Sequence, residues 1–183
     1  MRPHHPPPLH RCRRSRQQRG VYALEWAIIF PVFFALLYGI VCYGLTFLVR
    51  QSMQFAVEEG ARAALRYPSS TIIGNNPPTW AFRSLQARRT TANALSWLPP
   101  GLRPAEGDID FTLCHLADTA CNQDTALNPA LDCTVDTPCL VLVSYRIDNY
   151  RQGAIAPAIP GLGLVLPASL QAQASLLVDR RML

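Results

Sequence analysis

Residue types that commonly carry catalysis are scarce in this chain of 183 residues. Beyond residue 20 the only histidine is His115, and all 17 basic side chains are arginines because the chain contains no lysine. We interpret the missing lysine as a compositional bias with no chemistry attached. The sequence has no nucleophile-elbow pattern, no phosphate-binding glycine loop and no pair of histidines at metal-ligand spacing. We therefore expect a protein without enzymatic turnover, without a catalytic site, and without a metal or other cofactor.

Acidic residues are absent from residues 1–20, which hold six arginines. The rest of the chain holds 11 arginines and 12 acids, so the net charge of +5 belongs to this leader. A basic cluster can bind nucleic acid or anionic lipid. Beside a membrane segment, however, the simpler interpretation is a determinant of topology, and we expect no nucleic-acid partner.

Formal charge is also absent from residues 26–49, which form a long apolar run. A helix of that length spans about 36 Å, enough to cross a hydrocarbon core of about 30 Å. The run is too long for the apolar part of an ordinary secretory signal. Because the arginines are concentrated before it, the bias predicts a single-pass protein with a cytoplasmic N-terminus and an external C-terminal part.

One carboxylate, that of Glu25, lies at the mouth of the apolar run. An ionisable group near the entrance of a lipid-exposed helix is costly and usually has a partner. Cleavage after Gly20 would give Val21 a free, positively charged amine close to this carboxylate. The amine of a neighbouring subunit could then neutralise Glu25 across a helix interface.

Two small residues in the apolar run, Ala35 and Gly39, have the i, i+4 spacing that allows membrane helices to approach closely. If the helix assembles laterally, we expect the contact there.

One colinear stretch, about a quarter of the chain, combines the basic leader, the glycine, the acid, an internal proline and a later small-residue segment. The matching residues are Arg19-Gly20, Ala23-Leu24-Glu25-Trp26-Ala27, Pro31, Tyr38-Gly39-Ile40 and Glu59-Gly60-Ala61-Arg62-Ala63-Ala64. This stretch resembles the TadE-like proteins, which are type IV pilin-like proteins associated with tight-adherence (Flp-type) pili.

The resemblance implies cleavage after Gly20 by a prepilin peptidase, which places Glu25 at the fifth position of the product. It also implies a minor pilin or pseudopilin of the bacterial inner membrane, with a periplasmic C-terminal domain. Incorporation into the pilus stays open. The implied partners are the prepilin peptidase, other pilin or pseudopilin subunits, pilus assembly proteins and the membrane.

Two other interpretations keep the membrane segment. The first is an unprocessed single-span envelope protein that scaffolds a secretion or pilus complex. The second is a membrane-anchored metal-dependent or redox enzyme built on four cysteines, which would need free thiols or a bound metal.

The sequence divides into a leader at 1–20, a transmembrane and stalk helix at 21–67, and an external domain at 68–183. Apolar and small residues recur at helical spacing after the membrane segment and predict a buried stripe. They are Met53, Ala56, Val57, Gly60, Ala61, Ala64 and Leu65.

The external domain is expected to be a small, mainly antiparallel sheet packed on helices, so that the fold class is α+β and pilin-like. A second helix is predicted over residues 79–98, ended by Pro99-Pro100-Gly101. Alternating apolar and polar residues predict three strands, around residues 108–113, 141–147 and 170–178.

Four cysteines lie within 26 residues of the external domain and suggest an oxidising compartment with two disulfides. The four are Cys114, Cys121, Cys133 and Cys139. Three pairings are possible, and the sequence does not choose among them. A zinc site is the alternative, but the gaps of six, eleven and five residues include no Cys-x-x-Cys pair.

Overall fold

The computed structural model describes residues 18–118, 121, 127–128, 131–153, 155 and 166–179. The chain forms two compact units, Met1–Ile40 and Val41–Leu183. Most of the predicted leader, residues 1–17, lies outside the described residues. The predicted boundaries after residues 20 and 67 therefore stay predictions.

The first helix, α1, runs from Gln18 to Leu65 and contains Pro31. A proline inside a helix removes one hydrogen-bond donor, which is tolerated in membrane helices where neighbouring groups satisfy the freed carbonyl. The helix ends close to the predicted position because Tyr67 precedes Pro68, and a proline disfavours helical geometry in the residue before it.

The predicted stripe on the C-terminal half of α1 is confirmed. Met53, Ala56, Val57, Ala61 and Ala64 are all fully buried. Gly60 is also buried, and Leu65 is half-buried. Burial at this spacing gives the second half of α1 one face in the protein core and one face in solvent.

Two further helices follow α1: α2 at Ser70–Ile73 and α3 at Trp80–Ala94. The prediction placed the end of α3 at residue 98, four residues too late. Residues 95–97 form a turn, and the backbone amide of Leu98 donates to the carbonyl of Leu95 at 3.1 Å. This turn directs Leu95 and Leu98 into the core, where both are fully buried, before the prolines at 99 and 100.

α3 lies against α1 at Gly60. A Cβ atom at this position would collide with the Thr91 side chain and lie 3.1 Å from the carbonyl oxygen of Ala87. A glycine therefore allows the two helix backbones to approach closely at this point.

Three strands form one antiparallel sheet in the order β1-β2-β3. They are β1 at Ile109–His115, β2 at Cys139–Ile147 and β3 at Leu170–Val178. A short 3-10 helix at Glu106–Asp108 precedes β1, and a short helix, α4, at Tyr150–Gly153 follows β2. All three predicted strands are present, and the α+β fold class is confirmed.

The register aligns the apolar residues of the three strands on one face of the sheet. Phe111 pairs with Val143, and Val143 pairs with Ala174. Tyr145 on the same face is buried, and its hydroxyl donates to the carbonyl of Leu102 at 3.0 Å. Burial raises the pKa of Tyr145 to about 12.

Candidate functional site

The N-terminal half of α1 exposes its apolar side chains on all faces. These include Leu24, Trp26, Ile28, Phe30, Phe33, Leu36 and Ile40, each more than half exposed. A helix that packs on a soluble core buries a stripe, whereas a helix that is apolar all round belongs in a core or a membrane. The segment Tyr22–Leu65 contains an 18-residue window with mean hydropathy 2.3, of which 6% is buried.

This helix is therefore long and apolar enough to span a membrane. It is the one such helix among the residues that the structure describes.

Glu25 is exposed near the start of this apolar surface. Within the described part of the chain, its carboxylate has no hydrogen bond or ion pair. Such a group is inexpensive in water but costly in lipid. If this helix spans a membrane, the Glu25 carboxylate needs a polar or charged partner there.

The predicted processing site lies at the beginning of the same helix. Gly20 is exposed and already part of α1. The backbone of Val21 continues the helix, and its side chain lies outside what the structure describes. At about 1.5 Å per residue, the five residues from Gly20 to Glu25 span about 7.5 Å along the helix.

The predicted packing pair lies further along α1. Ala35 is exposed and Gly39 is half-buried. A Cβ atom at Gly39 would meet nothing within 4 Å. Packing within the described chain thus does not require glycine at this position, in contrast to Gly60.

The C-terminal end of α1 has a feature that the sequence analysis missed. Arg83 of α3 is buried, and its Nη1 donates to the carbonyl oxygens of Ala64 at 2.9 Å and Arg66 at 3.2 Å. Gln86 of the same helix donates to the carbonyl of Ala63 at 3.1 Å. These side chains supply donors to carbonyls at the C-terminal end of α1, where the Ala63 carbonyl also accepts from the backbone amide of Arg66 at 3.2 Å. The positive charge of Arg83 faces the negative end of the helix dipole.

The charged guanidinium of Arg83 is buried and largely shielded from water. Its guanidinium lies 5.7 Å from the ring centroid of Trp80, a cation–π contact. Burial lowers the pKa of Arg83, and the charge of Tyr67 acts in the opposite direction. The sequence signal that could have indicated this contact was the position of Arg83 on the apolar side of a predicted helix.

The four cysteines form the two disulfides that we expected, and the structure selects the pairing. Cys114 bonds to Cys121 with a Cα–Cα distance of 5.9 Å, and Cys133 bonds to Cys139 with a Cα–Cα distance of 5.3 Å. This pairing contradicts the zinc alternative, because no thiolate of the four is left to bind a metal ion. Among the described residues, no group of three His, Cys, Asp or Glu side chains is placed to hold a metal ion.

The disulfides lie beside the sheet. Cys114 is in β1, and Cys139 is the first residue of β2, opposite His115. Each bridge closes a short loop at this end of the β1–β2 pair. A disulfide stabilises a small domain by restricting its unfolded chain, typically by about 2–4 kcal/mol.

Comparison with known proteins agrees with the resemblance read from the sequence. No curated protein and no solved structure matches the chain. A family model described as TadE-like protein matches residues 20–62, which are 43 of the 183 residues. The matched segment lies entirely within α1 and includes Gly20, Glu25, the exposed apolar surface and much of the buried stripe. Over these residues the long N-terminal helix is therefore similar to the TadE-like family.

Proposed function

We propose that this protein is a TadE-like minor pilin or pseudopilin that takes part in the assembly of tight-adherence (Flp-type IV) pili. The family match over residues 20–62 carries the proposal. The exposed apolar surface of α1 supports it, because a pilin-type helix must first reside in lipid and then pack among other helices. The protein acts by assembly, not by catalytic turnover.

In this proposal the chain sits in the bacterial inner membrane with residues 1–20 in the cytoplasm. The six arginines of the leader support this orientation. The sheet domain is then periplasmic, in a compartment where disulfides form and persist. The proposed partners are the prepilin peptidase, other pilin or pseudopilin subunits and pilus assembly proteins.

Processing after Gly20 would create the charged group that pairs with Glu25. Cleavage removes the leader and leaves a charged amine on Val21. In a bundle of such helices, the amine of one subunit can pair with the Glu25 carboxylate of the next. This pairing offsets the cost of a carboxylate in lipid and fixes the relative height of the two subunits. Ala35 and Gly39 are the proposed positions of close helix contact.

The N-terminus and intact mass of the membrane-extracted protein test this proposal. The protein is produced in cells with and without an active prepilin peptidase. We expect a start at Val21 that depends on the peptidase. Gly20→Ala should prevent cleavage, whereas Gly44→Ala, the same substitution at another open position of α1, should not. An intact Met1 start in both cell types would favour the unprocessed single-span scaffold.

A further inference from the structure

A cavity of about 610 Å³ lies between α1 and the segments that lead into and begin β3. Its lining includes Tyr43, Phe47 and Arg50 from α1, Arg151 from α4, and Leu166 and Leu170 from the approach to β3 and its start. The lining combines two arginines with apolar and aromatic side chains and includes no acid among the described residues. The volume lies in the range of small-molecule sites, about 300–1,000 Å³.

The position of this cavity along α1 is informative. Arg50 is the first charged residue after the apolar run of residues 26–49. The cavity thus straddles the point where the helix changes from apolar to polar. Tyr43 lies about 10 Å from Arg50 along the helix, on the apolar side. When α1 spans a membrane, the two arginines lie at the depth of the lipid headgroups and Tyr43 lies at the depth of the upper acyl chains.

The aromatic side chains agree with this depth. Tyr43 is 70% exposed and Phe47 is 50% exposed, and their rings stack with centroids 6.5 Å apart. Tyrosine and tryptophan are enriched at the boundary between membrane and water, which suits Tyr43. The apolar wall of the cavity therefore continues into the surface that faces lipid.

The arginines are held by different elements. Arg50 belongs to α1, whereas Arg151 follows 101 positions later in the sequence. The Nε of Arg151 donates to the carbonyl of Leu166 at 2.8 Å, which orients this side chain along the cavity wall. A guanidinium has five N–H donors in a planar fork that suits phosphate, and this bond uses one of them.

We propose that this cavity binds an anionic phospholipid, with the phosphate between Arg50 and Arg151 and the acyl chains against Tyr43 and Phe47. A lipid is the occupant that fits both parts of the lining, because one molecule carries the negative charge and the apolar chains. The inference rests on the membrane insertion within the proposed function, and it does not depend on processing or on pilus assembly.

Phosphatidylglycerol and phosphatidylcholine are the probes. The full chain is purified in a non-ionic detergent, and native mass spectrometry measures how much of each added lipid stays bound. We expect the wild-type protein to retain phosphatidylglycerol in preference to phosphatidylcholine. The double variant R50Q/R151Q should bind phosphatidylglycerol about 10- to 30-fold more weakly, from about 1 kcal/mol for each arginine near a membrane surface.

A second cavity provides the matched control. Arg66 and Arg89 line a cavity of about 380 Å³ near the C-terminal end of α1. Arg66 lies about 24 Å from Arg50 along the helix, well beyond the lipid boundary. The double variant R66Q/R89Q removes the same amount of positive charge, but far from the proposed lipid headgroup. It should keep the preference for phosphatidylglycerol. Circular dichroism and disulfide content verify that both variants fold.

The outcomes separate the possibilities. Equal losses in the two double variants would indicate a general charge effect and overturn the proposal, as would full retention by R50Q/R151Q. Displacement of the lipid by excess inorganic phosphate would indicate a phosphate site instead of a lipid site. A wild-type chain that inserts into membranes without preferring phosphatidylglycerol overturns this inference alone. A chain that does not sediment with membranes contradicts the proposed function as well.

Discussion

Arg83→Met tests how the end of α1 is fixed to the domain. The substitution keeps a similar chain length and removes the donor shared by the carbonyls of Ala64 and Arg66. Ala64 is fully buried, whereas Arg66 is exposed, so water can replace the arginine only at Arg66. The main cost is therefore the unsatisfied carbonyl of Ala64.

The magnitude follows from these contacts. A buried carbonyl without a partner costs about 1–3 kcal/mol. Loss of the contact with the Trp80 ring adds about 0.5–1 kcal/mol, and relief of the desolvated charge offsets part of the total. We expect the free energy of unfolding to fall by about 2–3 kcal/mol, which lowers Tm by roughly 5–10 °C for a unit of this size.

Thermal unfolding of the full chain in detergent, followed by circular dichroism, measures this effect. Arg89→Met is the control, since Arg89 lies on the same helix in an exposed ion pair with Glu106 and should contribute at most about 1 kcal/mol. Arg83→Lys keeps the charge but loses the planar fork, so its Tm should fall between the wild type and Arg83→Met. Equal Tm values for Arg83→Met and Arg89→Met would refute the reasoning.

Two further predictions concern ionisable groups. Glu25→Ala should impair pilus assembly, measured by pilus yield, more than it impairs cleavage, measured by the mature N-terminus. Glu25→Asp should retain part of the pilus yield. Normal pili with Glu25→Ala would contradict the pairing role. For Tyr145, a folded-state pKa of about 12 lies above the ordinary value near 10, so its stabilising contribution is complete below pH 10. As pH rises from about 10 to 12 the folded protein should lose about 2–3 kcal/mol of stability by this route. Denaturant unfolding at pH 8 and 11 measures this loss of stability. Tyr145→Phe should reduce the loss, whereas Tyr67→Phe, at an exposed position, should not. Equal pH dependence of stability in both variants would contradict the role of Tyr145.

The predictable part of this fold depends on local sequence patterns. The apolar run determines the helix that could cross a membrane, and three- and four-residue spacing determines which face of its second half is buried. The alternation in β1, β2 and β3 follows from the two-residue repeat of a strand. In these segments each residue's environment is set by its neighbours in the sequence, which is why the elements and the family resemblance could be predicted.

Tertiary structure decided the features that join distant residues. The pairing of Cys114 with Cys121 depends on which loop folds back on the sheet, and four cysteines allow three pairings. The end of α3 at Ala94 depends on core space for Leu95 and Leu98, which helix propensity does not encode.

The same reason applies to the two arginine sites. Arg83 reaches carbonyls 17 to 19 residues earlier in the chain, and Arg50 shares a cavity with Arg151 from a separate helix. The sequence by itself determined where the apolar run of α1 begins and ends. The free energy of transferring a side chain between water and lipid depends on that side chain and not on the fold. Only the tertiary structure decided which charged side chains lie near the two ends of the second half of α1, because their positions depend on how distant segments of the chain pack together.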